Sequence, residues 1–168
     1  LDAGGWHSRG FVGEPLPSLA AIARYCVRNG FALNIEIKPT PGLEDATGQA
    51  VAREAARLWG GQPVQPLLSS FRPEALQGAS ESAPELPRAL LLDTLWSGWF
   101  DVAQVVGCTA VVTNHRLMDA PLIAKLHGAG MRALVYTVNE VADARRLLAL
   151  GIDSIITDAV DRFAPAGA

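Results

Sequence analysis

Six short apolar runs recur along the chain, at residues 31–37, 64–69, 88–92, 109–113, 132–137 and 153–157. Their starts lie about 20–35 residues apart, close to the length of a strand–helix repeat. Between them, apolar positions follow helical spacing. Leu19, Ile22, Ala23, Cys26 and Val27 repeat at i, i+3, i+4, i+7 and i+8, behind Pro17-Ser18 and ahead of Gly30. A second helix is predicted over 43–59, with Glu44 and Asp45 in its first turn and Gly60-Gly61 after it. A weaker one starts at Pro73 and runs through Leu76, and another over 99–106 ends at Gly107. Asp119 and Pro121 open a helix through Leu126, and Asn139 is expected to cap the last one, through Leu148 to Gly151. The tail beyond Phe163 is expected to fray.

Alternating strands and helices imply parallel strands covered by helices. Both a (β/α)₈ barrel and an open doubly wound sheet satisfy that pattern. No G-x-G-x-x-G or G-x-x-x-x-G-K-[ST] segment favours a nucleotide fold. A complete barrel needs about 250 residues and eight strands. With six predicted, two strand–helix units are expected to come from elsewhere.

Composition narrows the class. The 168 residues suit one domain with a substantial core, being 49% hydrophobic and only 18% charged. The net charge of −3, with no basic cluster, argues against a nucleic-acid partner. Cys26 and Cys108 sit far apart among apolar residues and are expected to be buried thiols. No apolar run approaches the roughly 20 residues of a membrane span, and no signal peptide opens the chain. The expectation is a soluble, cytoplasmic protein.

The richest chemistry lies in Asn34-Ile35-Glu36-Ile37-Lys38-Pro39. Alternation along a strand puts Asn34, Glu36 and Lys38 on one face, and Ile35 and Ile37 on the other. Pro39 cannot extend the ladder, so the strand ends where the charges emerge. An acid and a base on an inward face are costly unless they bind something. A metal-and-phosphate site is one such use; a structural ion pair is the other.

Four segments occur in order, each closing a predicted strand: Asn34-Ile35-Glu36-Ile37-Lys38, Leu68-Ser69-Ser70-Phe71, Val135-Tyr136-Thr137-Val138-Asn139, and Gly151-Ile152-Asp153-Ser154-Ile155-Ile156-Thr157-Asp158. Together they resemble the glycerophosphodiester phosphodiesterase family, in particular its bacterial cytosolic branch. Asp2-Ala3-Gly4-Gly5-Trp6, then Phe11, Gly13-Glu14 and Pro17-Ser18-Leu19, resemble the insertion before that family's third strand. The resemblance implies an α/β fold, a (β/α)₈ TIM-type barrel. The third to eighth strand–helix units would be present, roughly the C-terminal three quarters, as one barrel domain over residues 1–168.

It also implies a metal-dependent hydrolase that converts glycerophosphodiesters to glycerol 3-phosphate and an alcohol, with Ca²⁺ or Mg²⁺ as cofactor. Glu36 matches the third of the family's metal carboxylates, and Lys38 the lysine facing the phosphate. Phe71 and Tyr136 are candidates to flank the substrate, although Tyr136 stands where many members carry tryptophan. Two histidines, one in a His-Arg-Gly motif, serve the family as acid and base, and neither has a counterpart here. His7-Ser8-Arg9-Gly10 mimics the motif with one extra residue. It follows Trp6 in a loop and does not end a strand, so His7 is read as a loop residue.

The other residues carry plainer expectations. Thr157-Asp158 is read as a turn that stabilises barrel closure. Asp93 is a lesser site candidate at a strand end, and so is His115. His127 falls within a helix, and Trp96 and Trp99 are expected to pack. Two other functions compete with the hydrolase: a catalytically inactive truncated barrel that binds a partner, and a related phosphodiesterase acting on phosphoinositide or sphingolipid head groups. An isolated six-strand piece would expose two sheet edges, so the missing strands are expected from the same protein or another chain.

Overall fold

In the computed structural model, residues 1–163 are described, and the tail expected to fray lies outside them. The elements are α1 (Leu19–Asn29), β1 (Asn34–Glu36), α2 (Glu44–Trp59), β2 (Leu67–Ser70), α3 (Pro73–Ser82), β3 (Arg88–Leu92), α4 (Trp99–Val105), β4 (Ala110–Asn114), α5 (Ala120–Gly128), β5 (Arg132–Tyr136), α6 (Val141–Ala149) and β6 (Ser154–Ile155). All six predicted strands form, although the first and last are shorter than their apolar runs. The first five helices start where their punctuation predicts. The Ser18 hydroxyl accepts from the Ala21 N–H at 3.2 Å, and the Asp119 carboxylate accepts from the Leu122 N–H at 2.9 Å. Gly30 ends α1 with φ of 67°, a left-handed conformation that favours glycine.

The strands form one parallel sheet in the order β1-β2-β3-β4-β5-β6. A doubly wound sheet reverses its strand order at a switch point; this one never does. Winding in one direction, it curls into a six-strand half-barrel with helices outside. Strand alternation divides the side chains accordingly. Ala89, Leu91, Ala110 and Val112 line the inner face with Leu67, Leu134, Tyr136 and Ile156. Leu90, Leu92, Val111, Ala133 and Val135 face α4, α5 and α6, while Ile37 and Leu68 pack with residues of α1, α2 and α3.

One helix pair departs from hydrophobic patterning. The chain buries Gly48, Ala52 and Ala55 of α2 against Ala75, Gly78 and Ala79 of α3. A methyl group at Gly48 would overlap the Ala75 carbonyl, and one at Gly78 the Asp45 carbonyl. Small residues let the two backbones nearly touch. That face carries α3 to Ser82, well past Leu76.

Arg88 begins β3 and is buried, yet no carboxylate pairs with it among the described residues. It donates instead to the carbonyls of Val106, Pro84, Leu86 and Gly107 at 3.1, 3.1, 2.8 and 3.3 Å, tying the segment before β3 to the end of α4. Both cysteines are free and buried. Burial pushes the Cys108 thiol up to about 12 despite the nearby Arg88 charge, so it packs as an apolar group.

Candidate active site

Parallel strands bring their C-terminal ends to one rim, and that rim carries the ionisable groups predicted for it. Glu36 closes β1, and the Lys38 ammonium sits 3.5 Å from its carboxylate. The side chains are 79% exposed for lysine and 34% for glutamate, so this is no buried structural bridge. Exposed pairs contribute only about 0–1 kcal/mol. An open groove of about 330 Å³ adjoins them, lined by Glu36, Ile37, Lys38, Pro39, Ser70, Phe71 and Arg72. Arg72 adds a second cation that the sequence reading did not single out, although it directly follows the Leu68-Ser69-Ser70-Phe71 segment.

Two hydroxyls on β2 play different parts. The Ser70 hydroxyl donates to the Ile37 carbonyl at 2.8 Å and accepts from the Arg72 N–H at 3.1 Å, holding the two rim segments together. Ser69, opposite Glu36 in the ladder, is wholly buried, with no hydrogen-bond partner for its hydroxyl among the described residues. Leaving a buried hydroxyl unpaired costs about 1–3 kcal/mol.

Phe71 and Tyr136 come together although one follows β2 and the other ends β5. Their rings meet edge to face, 5.8 Å apart at 89°. The Tyr136 hydroxyl donates to the Leu92 carbonyl at 3.1 Å. Burial raises the Tyr136 pKa, and the negative charges of Asp93 and Glu36 raise it further. Asp93 therefore belongs to the same rim, within electrostatic reach of the phenol.

The remaining candidates lie elsewhere. His7 is exposed in the loop before α1, its ring set edge-on to Trp6 and Phe11 at 5.7 and 5.2 Å, as the loop reading expected. His115 turns away from the mouth toward α6, with Nδ1 4.0 Å from the Asp143 carboxylate. His127 pairs with Asp153 at 2.8 Å, fastening α5 to the start of β6. Trp99 is buried as expected, whereas Trp96 is 38% exposed.

The expected Asn139 cap does not form. Glu140 is the N-cap of α6, and Asn139 Oδ1 instead accepts from the Asp158 N–H at 2.9 Å and the Thr157 hydroxyl at 3.1 Å. A distant loop outcompetes the local helix end for that side chain. The same bonds make Thr157-Asp158 a tie between the loops after β5 and β6.

A larger cavity, about 480 Å³, lies at the opposite ends of the strands, against Leu67, Pro87, Ala110, Arg132, Leu134 and Asp153. Its one carboxylate is already engaged, accepting from the Ala133 N–H and facing His127. The rim has the exposed Glu36–Lys38 pair, Arg72 and the aromatic pair. Among the described residues no three His, Cys, Asp or Glu side chains converge as a metal site. Glu36 supplies one oxygen ligand of the kind a hard cation takes, but such a cation takes six or more oxygens. These residues alone do not make a complete site.

Known proteins share both the sequence and the curl. YhdW of Bacillus subtilis is 26% identical over 167 residues, covering 96% of this chain and 66% of that protein. A glycerophosphodiester phosphodiesterase of Caldanaerobacter subterraneus subsp. tengcongensis is 26% identical over 163 residues, covering 94% and 64%. The structure of an Oleispira antarctica phosphodiesterase in complex with the product sn-glycerol-3-phosphate superposes with a TM-score of 0.84 at 26% identity, over 96% of this chain and 65% of that one. The chain thus spans 60–66% of the length of the curated relatives it matches. No helix among the described residues is long and apolar enough to cross a membrane. The Glycerophosphoryl diester phosphodiesterase family matches residues 1–162, nearly the whole chain, and the chain belongs to that family.

Proposed function

We propose that the protein hydrolyses glycerophosphodiesters to sn-glycerol 3-phosphate and an alcohol. One observation carries this reading: the half-barrel superposes on a product-bound phosphodiesterase over nearly its full length, with Glu36 and Lys38 at the strand rim. The six units correspond to the third to eighth of a (β/α)₈ barrel, forming one domain over residues 1–168. The remaining units, with both catalytic histidines and further metal carboxylates, come from the same protein or another chain. Cytoplasmic location is part of this proposal.

Lys38 sets a fixed positive charge beside the phosphoryl oxygens, where negative charge gathers in the transition state. Arg72, on the same groove, holds the diester before reaction. Phe71 and Tyr136 flank the organic groups and exclude water from one side. Glu36 would provide one carboxylate to Ca²⁺ or Mg²⁺, which when bound neutralises phosphate charge. The neighbouring glycerol hydroxyl attacks phosphorus and gives its proton to one histidine, while the leaving alkoxide takes a proton from the other. Water then opens the cyclic phosphate.

The test is release of sn-glycerol 3-phosphate from glycerophosphocholine by the full-length protein, with and without a chelator. Chelator-sensitive release upholds the reading. An absence of release in the presence of Ca²⁺ and Mg²⁺ would leave a non-catalytic barrel, and release of phosphocholine in its place would point to a phospholipase C-like activity.

A further inference from the structure

One hydroxyl beside the rim has no task in the fold. Along β2, Leu67 lines the inner face and Leu68 packs outward, so Ser69 returns to the inner face. On β1, Ile35 and Ile37 pack outward, which turns Glu36 inward as well. Ser69 is paired in register with Glu36 on one side and with Ala89 on the other. Neighbouring strands lie about 4.8 Å apart, so the Ser69 and Glu36 side chains are neighbours on one face.

Ser69 is wholly buried, and its hydroxyl has no hydrogen-bond partner among the described residues. The adjoining Ser70 differs, since its hydroxyl both donates and accepts. Buried side-chain polar atoms are nearly always paired, so an orphan calls for a reason. The half-barrel already shuts Ser69 off from solvent, which places its partner among its immediate neighbours. Of the two residues paired with it, Ala89 has no acceptor on its side chain and Glu36 has a carboxylate. Lys38 is the only cation within 4.0 Å of that carboxylate among the described residues, and it approaches Oε2. Oε1 is left to accept a proton donor. Donors of this kind orient the carboxylates that hold metals, and losing one weakens metal binding by about 10–100-fold.

We propose that Ser69 is a positioning residue for Glu36: its hydroxyl donates to the carboxylate when that group binds a divalent cation. The stability lost to an unpaired hydroxyl in the cation-free protein returns as affinity in the loaded one. The proposal rests on the hydrolase reading for the cation at Glu36.

The test compares the full-length protein with Ser69→Ala and Ser69→Cys, titrated calorimetrically with Ca²⁺ and with Mg²⁺ in the absence of substrate. Ser69→Ala removes the orphan, so the cation-free variant should melt about 2 °C or more above the parent. Its affinity for the cation should fall by about tenfold or more. A serine that only packs would move the first readout and leave the second alone. Ser69→Cys fills the space with a weak donor and should bind the cation as poorly as the alanine variant. Parental affinity in either variant would overturn the proposal while the hydrolase reading stands. So would a melting temperature of Ser69→Ala below the parent's, which would show the hydroxyl already bonded without the cation. If the parent binds neither cation, the metal role of Glu36 falls and the proposal falls with it. Weaker binding in both variants upholds the role of Ser69 even where glycerophosphocholine is not hydrolysed.

Discussion

Tyr136 and Leu92 lie on strands separated by β4, yet the tyrosine hydroxyl reaches over it to the leucine carbonyl at 3.1 Å. Only a curled sheet brings those atoms together. Tyr136→Phe keeps the ring and loses the bond, so it should destabilise the protein by about 1 kcal/mol at neutral pH. Burial and the charges of Asp93 and Glu36 raise the folded pKa above its ordinary 10.0. Stability from a raised pKa is fully present below the unfolded value and is lost as pH rises through the folded one. The gap between parent and variant should therefore narrow above pH 10. Urea unfolding at stepped alkaline pH checks both parts; a gap that widens would contradict the assignment.

Lys38 and Glu36 should separate stability from activity. Their 3.5 Å pair is largely exposed, so Lys38→Ala and Glu36→Gln should each leave unfolding free energy within about 0.5 kcal/mol of the parent. If they serve phosphoryl transfer, kcat of the full-length protein should fall by about 100-fold or more. Equal, modest losses of stability and turnover would indicate a structural pair.

Asp153 governs an acid transition at the other end of the barrel. Burial pulls its pKa up, but the Ala133 N–H and the His127 bond, with help from the His127 and Arg132 charges, hold it below the ordinary 3.8. A depressed carboxyl contributes stability above its unfolded pKa and loses it as pH falls through the folded value. Asp153→Asn should be less stable at neutral pH and show a flatter stability profile below about pH 4. Denaturant midpoints from about pH 6 to about pH 2.5 would reveal the flattening, and parallel profiles would refute it.

Arg88 satisfies four carbonyls with one guanidinium. Arg88→Met leaves those buried and part-buried acceptors without their donor and should cost about 3 kcal/mol. Arg88→Lys should recover only part, because an ammonium has three donors on a single atom and no planar fork. Thermal and urea unfolding of the two variants should rank parent, lysine and methionine in that order.

Much of this architecture is legible in the chain because its signals are local. Apolar runs, Ser18, Asp119 and Gly30 mark elements that form where they point. Strand alternation likewise pairs Glu36 with Lys38 before any coordinates exist. Local signals fail where a distant partner decides. Asn139 has a good capping side chain, yet Thr157 and Asp158 claim it from 18 and 19 residues away. His115 follows a strand end, where alternation no longer says which way a side chain turns. The Tyr136–Leu92 bond depends on sheet curvature, which no periodicity records.

The α2–α3 contact is the other relationship that hydrophobic patterning hides, and it yields the sharpest test of packing. Alanine is favoured over glycine inside a helix by about 1 kcal/mol, so propensity alone predicts that Gly48→Ala stabilises the protein. The structure predicts the reverse. The new methyl would overlap the Ala75 carbonyl, and backbone on both sides leaves no flexible side chain to yield. Overpacking of this kind costs about 1–3 kcal/mol, enough to cancel or reverse the propensity gain. Gly128, at the end of α5, provides the control, since a methyl there meets nothing within 4 Å. Gly128→Ala should stabilise by up to about 1 kcal/mol. Opposite signs for one chemical change, measured by urea unfolding, would locate the close approach of α2 and α3. Stabilisation by both would mean that the two helices stand further apart than their glycines imply.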